Sequence, residues 1–484
     1  MIVHRFFDEN LAQTSYLIAC GQAGVGVVID PNRDIGQYVE AAEAQNIRIA
    51  FVTETHIHAD FVSGARALAA RTGAHLYLSD EGDANWKYAY ASEAGATLVR
   101  DGDEFSVGNI RVQVVHTPGH TPEHISFLIT DRAAADEPIG IVTGDFVFVG
   151  DVGRPDLLER AAHIEGTMEA SARALFDSLQ RFKQYPDWLQ IWPGHGAGSA
   201  CGKGLSAVPH STVGYERRFN WAFSIDVAAQ FVQAVLEGQP EPPKYFAEMK
   251  RVNKLGAPDF NFAAIPKRVG IDELRSALGA GVTVMDTRPA DDFAEAHIPG
   301  TINIPLNKSF NTWAGWFLRY DAPFLFIAAD DTAIAAVIRD LGMIGLDSPG
   351  GAATADVLAQ WTAAGGDLAT VGQITATALS KRVADGSVTV VDVRGKSEWD
   401  AGHIPGVGNI PAGLLTEHLS RIPRTGTIVL QCQRGGRSAI GASVLLANGF
   451  RDVLNLADGF DGWTGAGLPV ESAMALGAGS PTEG

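Results

Sequence analysis

Thr55-His56-Ile57-His58-Ala59-Asp60-Phe61 sets two imidazoles and a carboxylate at metal-ligand spacing, and closes on Phe where a two-metal site needs one more His. Phe61 cannot bind a metal and offers only apolar surface. The segment points to one ion with open coordination positions. Further donors follow in order: His120 and His124 after His116-Thr117-Pro118-Gly119, Asp145 after Thr143-Gly144, and His195 after Trp192-Pro193-Gly194. A glycine beside His120, Asp145 and His195 lets the backbone turn sharply and approach an ion. A second chemistry is carried by Cys432-Gln433-Arg434-Gly435-Gly436-Arg437-Ser438. This loop follows the short apolar strand Ile428–Gln431 and precedes a helix expected from about Ala439 to Asn448. Strand, tight loop and helix N-terminus form an anion pocket lined by backbone N–H groups. Such a pocket stabilises a thiolate, a Cys–S–S⁻ group and incoming sulfur oxyanions, and Arg434 and Arg437 add positive charge.

Strand-like runs cover Ser15–Cys20, Gly26–Asp30, Ile49–Thr53, Ile110–His116, Ile141–Thr143 and Leu189–Trp192. Helical patterns at Gly36–Gln45 and Phe61–Thr72 lie between them. Strands alternating with helices predict a layered α/β domain over residues 1–245, with the histidine motifs in loops at strand ends. The Pro-rich Gly238-Gln239-Pro240-Glu241-Pro242-Pro243 reads as a linker by composition, and residues 246–263 as its continuation. The rest contains an internal repeat. Asp286-Thr287-Arg288…Phe293…His297-Ile298-Pro299-Gly300…Asn303-Ile304-Pro305 recurs, 106 residues on, as Asp392-Val393-Arg394…Trp399…His403-Ile404-Pro405-Gly406…Asn409-Ile410-Pro411. Two small α/β domains are expected at 264–365 and 372–472, with a disordered tail at 473–484. In the first copy, Ala328-Ala329-Asp330-Asp331-Thr332 follows the strand Phe324–Ile327, so the copy lacks the cysteine and replaces base with acid.

The chain has 484 residues, 46% of them hydrophobic and 19% charged, an ordinary globular composition. Its formal net charge of −19 argues against general nucleic-acid or anionic-membrane binding. No apolar run approaches the roughly 18 residues of a membrane span, and the N-terminus has no signal-peptide layout. Three cysteines, Cys20, Cys201 and Cys432, are too few and too odd in number for a disulfide framework. A reducing, cytoplasmic location is the expectation. Cys20 ends an apolar strand and reads as core.

Residues 1 to about 240 resemble the metallo-β-lactamase superfamily, on five motifs in order, and within it most resemble the persulfide dioxygenases. The resemblance implies an N-terminal αββα sandwich and one Fe(II) per chain, held by His56, His120 and Asp145. Two His and one carboxylate leave positions open for O₂ chemistry. His58, Asp60 and His195 are left to hydrogen-bond the ligands or ordered water. Arg154 matches a position near substrate, where a guanidinium would hold a carboxylate or phosphate of the carrier thiol. Cys201, six residues past His195 in a Gly-rich loop, is either a sulfur acceptor near the iron or a buried inert thiol. That loop stands where glutathione-using relatives carry an aromatic residue, a departure that counts against glutathione and leaves coenzyme A, another small thiol or a protein persulfide as alternative carriers. Residues 372–472 look like a rhodanese sulfurtransferase domain, with Cys432 as nucleophile and Arg437 beside it. A six-residue loop from Cys432 to Arg437 is the sulfur-transferring type. Residues 264–365 look like a degenerate rhodanese domain acting as spacer, docking surface or oligomer contact.

The whole chain thus resembles the persulfide dioxygenase–sulfurtransferase fusions that clear sulfide. The expected reactants are a thiol persulfide, O₂, sulfite and thiosulfate. A homo-oligomer is expected, with no nucleic-acid or membrane partner. Two other classes stay open: a zinc thioester hydrolase of glyoxalase II type, and a non-oxidative sulfur relay.

Overall fold

A computed structural model describes residues 1–160 and 166–472; the expected tail at 473–484 lies outside them. The chain forms two compact units, one of residues 1–262 with 340–345, the other of 263–339 with 346 onward.

In the first unit, two mixed six-stranded sheets run in chain order, from Ile2–Asp8 to Thr97–Val99 and from Glu104–Val107 to Ser211–Thr212. Alternation along Gln13–Cys20 explains why two sheets stack. Tyr16 and Ile18 enter a core with Phe105, Val112 and Phe127 of the second sheet. Leu17 and Ala19 enter another core with Tyr38, Ala42 and Leu68, which lie on the helices Gly36–Ala44 and Ala65–Thr72. Behind the second sheet, Leu175, Leu179 and Phe182 of the helix Met168–Phe182 cover Leu128, Ile141 and Ile191. Helix, sheet, sheet and helix give the αββα sandwich the sequence implied.

Two expectations need correction. The helix expected from Phe61 begins at Ala65. Residues 61–64 are held in extended and bent backbone because Ser63 N–H donates to Asn253 Oδ1 and Gly64 N–H to the Pro31 carbonyl. Any Cβ at Gly64 would lie 2.1 Å from the Asn32 carbonyl oxygen. The stretch 246–263 is not a plain linker either. It is mostly taken up by the helix Tyr245–Leu255, which buries Tyr245, Phe246, Met249 and Asn253. That spacing is one helical face, and it sits in the first unit.

The second unit holds two parallel sheets. Thr283–Asp286 and Phe324–Ala328 are central in a four-stranded sheet; Val388–Asp392 and Thr427–Gln431 are central in a five-stranded one. The repeat is legible atom by atom. Arg288 pairs with Asp286, and Arg394 with Asp392, each at 2.7 Å. Asn303 and Asn409 each donate to two carbonyls of their own Asp-x-Arg segment. His297 stacks on Phe293, and His403 on Trp399. The repeated residues therefore build the frame rather than the chemistry. Among the described residues no helix is long and apolar enough to cross a membrane.

Candidate metal centre and cysteine loop

Four loops at one edge of the sandwich bring the donors together, each following a strand: Arg48–Thr53, Ile110–His116, Gly140–Gly144 and Gln190–Pro193. Close backbone approach is required there. A Cβ at Gly153 would lie 1.8 Å from the Asp145 carbonyl oxygen. Gly144, at φ +49°, has Thr55 Oγ1 and His124 Nε2 within 2.7 Å of where its Cβ would stand.

One donor atom each from His56, His120 and Asp145 lies within 4.8 Å of the others, all buried. His56 Nε2 and Asp145 Oδ2 have no hydrogen-bond partner, and buried polar atoms are rarely left so. The tautomers are fixed from behind. Thr55 gives its hydroxyl proton to Asp30 Oδ2 at 2.9 Å, so His56 Nδ1–H must donate to Thr55 Oγ1, also at 2.9 Å. His120 Nδ1–H donates to the Arg154 carbonyl at 3.0 Å. Both rings then turn an Nε2 lone pair inward. Burial holds both imidazoles below their usual range, and the charge on His58 pushes His56 down further. Burial opposes a charge on Asp145, but His195, His56 and His120 keep its carboxyl well below the usual range. Two neutral imidazoles and a carboxylate with free inward atoms fit a divalent cation.

The other candidates are engaged elsewhere through at least one atom, while His58 Nδ1 and Asp60 Oδ1 also lack a hydrogen-bond partner. His124 Nε2 accepts the Asp145 N–H at 3.1 Å. His58 Nε2 turns to Asp30 at 3.2 Å. Burial works against a charge on His58, yet Asp30 and Glu54 outweigh it and push it up to about 9. Phe61, fully buried, packs its ring 4.4 Å from that of His58. His195 donates through both nitrogens, to Asp145 Oδ1 and to Asp60 Oδ2, each at 2.7 Å. Burial disfavours its charge, but the two carboxylates raise it well above the usual range. Cys201 lies beside them, with donors of Asp60, His195 and Cys201 within 4.8 Å of one another. Burial, with Asp60 and Asp145 near, pushes its thiol well up. Arg154 departs from expectation. Its buried guanidinium forks onto Asp156 at 2.7 and 2.8 Å and donates to the carbonyls of Ala200 and Pro240. It braces the loop that carries its own carbonyl to His120 rather than facing a substrate.

Sequence reasoning missed Asp30, Glu123 and Asn253. Asp30 ends an apolar strand as the other donors do, which was a usable signal. Glu123 Oε1 accepts the Ile57 N–H at 2.9 Å, and burial raises its carboxyl to about 7. Asn253 donates to the carbonyls of His58 at 2.8 Å and Phe61 at 2.7 Å; nothing local in the sequence announced it.

In the second unit, Cys432 follows the strand Thr427–Gln431, and the helix Gly436–Ala447 starts four residues later. Gly435 sits at φ +84°, where a Cβ would strike the Ala457 carbonyl at 2.3 Å. Ser438 Oγ donates to Cys432 Sγ at 3.3 Å. Arg437 forks onto Glu398 at 2.6 and 2.7 Å. Arg434 is exposed and pairs with Asp461 at 3.0 Å. The Cys432 loop opens into a cavity of about 770 Å³.

Comparison with known proteins agrees with this division. The Metallo-beta-lactamase superfamily model matches residues 9–195. The Rhodanese-like domain model matches 271–338 and 375–466. A solved metallo-beta-lactamase from Staphylococcus aureus subsp. aureus COL is 40% identical, covers 73% of this chain and 99% of its own, and superposes with a TM-score of 0.67. The structure of ETHE1 from Myxococcus xanthus is 26% identical, covering 52% of this chain and 98% of its own, with a TM-score of 0.43. Curated relatives include a Beta-lactamase hydrolase-like protein of Xylella fastidiosa, 28% identical over 52% of this chain. Another is a Hydroxyacylglutathione hydrolase of Rhodospirillum rubrum, 28% identical over 37% of this chain. The chain spans 60% of the length of each of these two.

Proposed function

The chain belongs to the metallo-beta-lactamase superfamily, and from that premise we propose that its first unit is a single-metal persulfide dioxygenase coupled to sulfur transfer at Cys432. One observation carries this reading. The unpartnered His56 Nε2 and Asp145 Oδ2 converge with His120, while Phe61 carries no donor and His195 gives both nitrogens to carboxylates on the side where a second ion would need ligands. An Fe(II) held by the three donors would supply O₂ activation and a binding partner for an anionic persulfide sulfur. The chain's own part is to keep both Nε2 atoms unprotonated, through Asp30–Thr55–His56 and Arg154–His120. His195 retains its protons between two carboxylates, and Phe61 gives that side an apolar wall. The net reaction converts RSSH, O₂ and water into RSH, sulfite and two protons. At the second site, the Cys432 thiolate attacks the outer sulfur of another RSSH. The S–S bond breaks, RS⁻ leaves, and Cys432 carries –S–SH. Sulfite then takes that sulfur, giving thiosulfate and returning the thiolate and a proton. The physiological role under this reading is removal of sulfide-derived persulfide.

The reading is tested by O₂ uptake of Fe(II)-loaded protein given glutathione persulfide or coenzyme A persulfide, beside a Cys432→Ser variant. Uptake in both proteins is expected, with thiosulfate from the wild type and free sulfite from the variant. The unpartnered His58 Nδ1 and Asp60 Oδ1, with Cys201 near Asp60, favour a second reading, a two-zinc thioester hydrolase. Thioester hydrolysis with zinc, and no O₂ uptake with any persulfide, would establish that one instead.

A further inference from the structure

The first rhodanese-like copy has lost its chemistry but not its place. Asp286 pairs in register with Ile327, as Asp392 does with Gln431. The residue after each partner is Ala328 in one copy and Cys432 in the other. Ala328 therefore stands where a nucleophile would, and the acidic loop behind it offers no anion nest. Yet Ala329 of that loop lines the cavity into which Cys432 opens. Both walls belong to the second unit. One wall is the Cys432 loop with Arg434, Arg437 and Ile440. The other comes from the inactive copy, chiefly Pro289, Leu306, Asn307 and Trp313.

The lining is uneven in chemistry. Arg434 and Arg437 stand at the Cys432 end, each paired with a carboxylate, Asp461 and Glu398, while the opposite wall is largely apolar. An inorganic dianion such as thiosulfate needs only the charged end. A cavity of about 770 Å³ is of the size that encloses an organic ligand. Trp313, half-buried on the helix Phe310–Phe317, presents a flat apolar surface to that space.

We propose that the inactive rhodanese-like copy is the specificity wall of the Cys432 site, and that it selects an organic persulfide with an extended apolar arm over inorganic thiosulfate. The proposal rests on the sulfurtransferase reading of Cys432. The transfer is the one already balanced: RSSH gives its outer sulfur to the thiolate, and RS⁻ leaves past Trp313 and Leu306.

The test uses full-length protein without O₂, so that persulfide is not oxidised. Sulfur loading of Cys432 is followed by intact mass, with coenzyme A persulfide, glutathione persulfide and thiosulfate as donors. For the wild type, kcat/KM should favour at least one organic persulfide over thiosulfate by tenfold or more. Trp313→Ala should lower that ratio about tenfold, chiefly through the organic donor's KM, and Trp313→Phe should restore most of it. Leu306→Trp, which fills the cavity, should lower the ratio in the same direction. A ratio unmoved in Trp313→Ala and Leu306→Trp, with Cys432 still loading, would overturn the wall and leave the sulfurtransferase reading standing. No loading of wild-type Cys432 from any donor would overturn both.

Discussion

Thr55 has one hydroxyl proton, and Asp30 takes it. That single allocation decides which nitrogen of His56 carries the proton, and so leaves a lone pair on the one facing the centre, although Asp30 is no ligand. The sequence displayed the donors plainly, since histidines flanked by glycine at strand ends are hard to mistake. It could not display the allocation, which depends on residues 25 positions apart meeting at one oxygen. Glu123 is a comparable case with a measurable consequence. Its carboxyl is raised from 4.5 to about 7 by burial, so the folded chain binds more protons than the unfolded one between those values. Stability must therefore fall as pH rises across that window, by about 3 kcal/mol from this group. Glu123→Gln keeps the acceptor for Ile57 N–H and removes the buried charge. Denaturant midpoints of the two proteins should agree near pH 4.5, and the variant should be the more stable at pH 8.

Among the elements, the helix Tyr245–Leu255 was the least expected. Prolines before it and Gly256 after it suggest an unstructured connection, and composition outweighed the apolar spacing of Tyr245, Phe246, Met249 and Asn253. Its tertiary role rests on Asn253, which ties together the His58 and Phe61 carbonyls and the Ser63 N–H. Asn253→Ala would strand buried backbone groups at about 1–3 kcal/mol each. A loss of about 3 kcal/mol is expected in urea unfolding, together with faster metal loss to a chelator because the His56–Phe61 loop loosens. Equal metal retention in the variant would show that the helix only fills space. The strands named from sequence, by contrast, were placed within a residue or two, because short apolar runs report burial; Ile2–Asp8, His75–Ser79 and Ile125–Asp131 were not among them. The late start of the helix at Ala65 was not legible, because Asn253 and Pro31 impose it from outside the segment.

For the whole molecule, two compact units carry the candidate metal centre and the cysteine loop, with no residue in common. Removing the metal should abolish O₂ uptake and leave thiosulfate loading of Cys432 within about twofold, read by intact mass before and after chelation. Loss of both together would mean that the units depend on one another for folding. The order of domains could be read from the 106-residue repeat and the histidine series. The use of the silent copy could not, since its missing cysteine only says what it does not do. The paired clamps Asp286–Arg288 and Asp392–Arg394 have an evolutionary consequence. A framework held the same way in both copies by buried ion pairs can carry two different loops, and in the later copy Arg394 also reaches its loop, donating to Gln433 Oε1 at 3.2 Å. Selection then writes in two alphabets. One is shared by both copies at Asp, Arg and Asn alike. The other is private to each loop, nucleophilic in the later copy and shaped for contact in the earlier one.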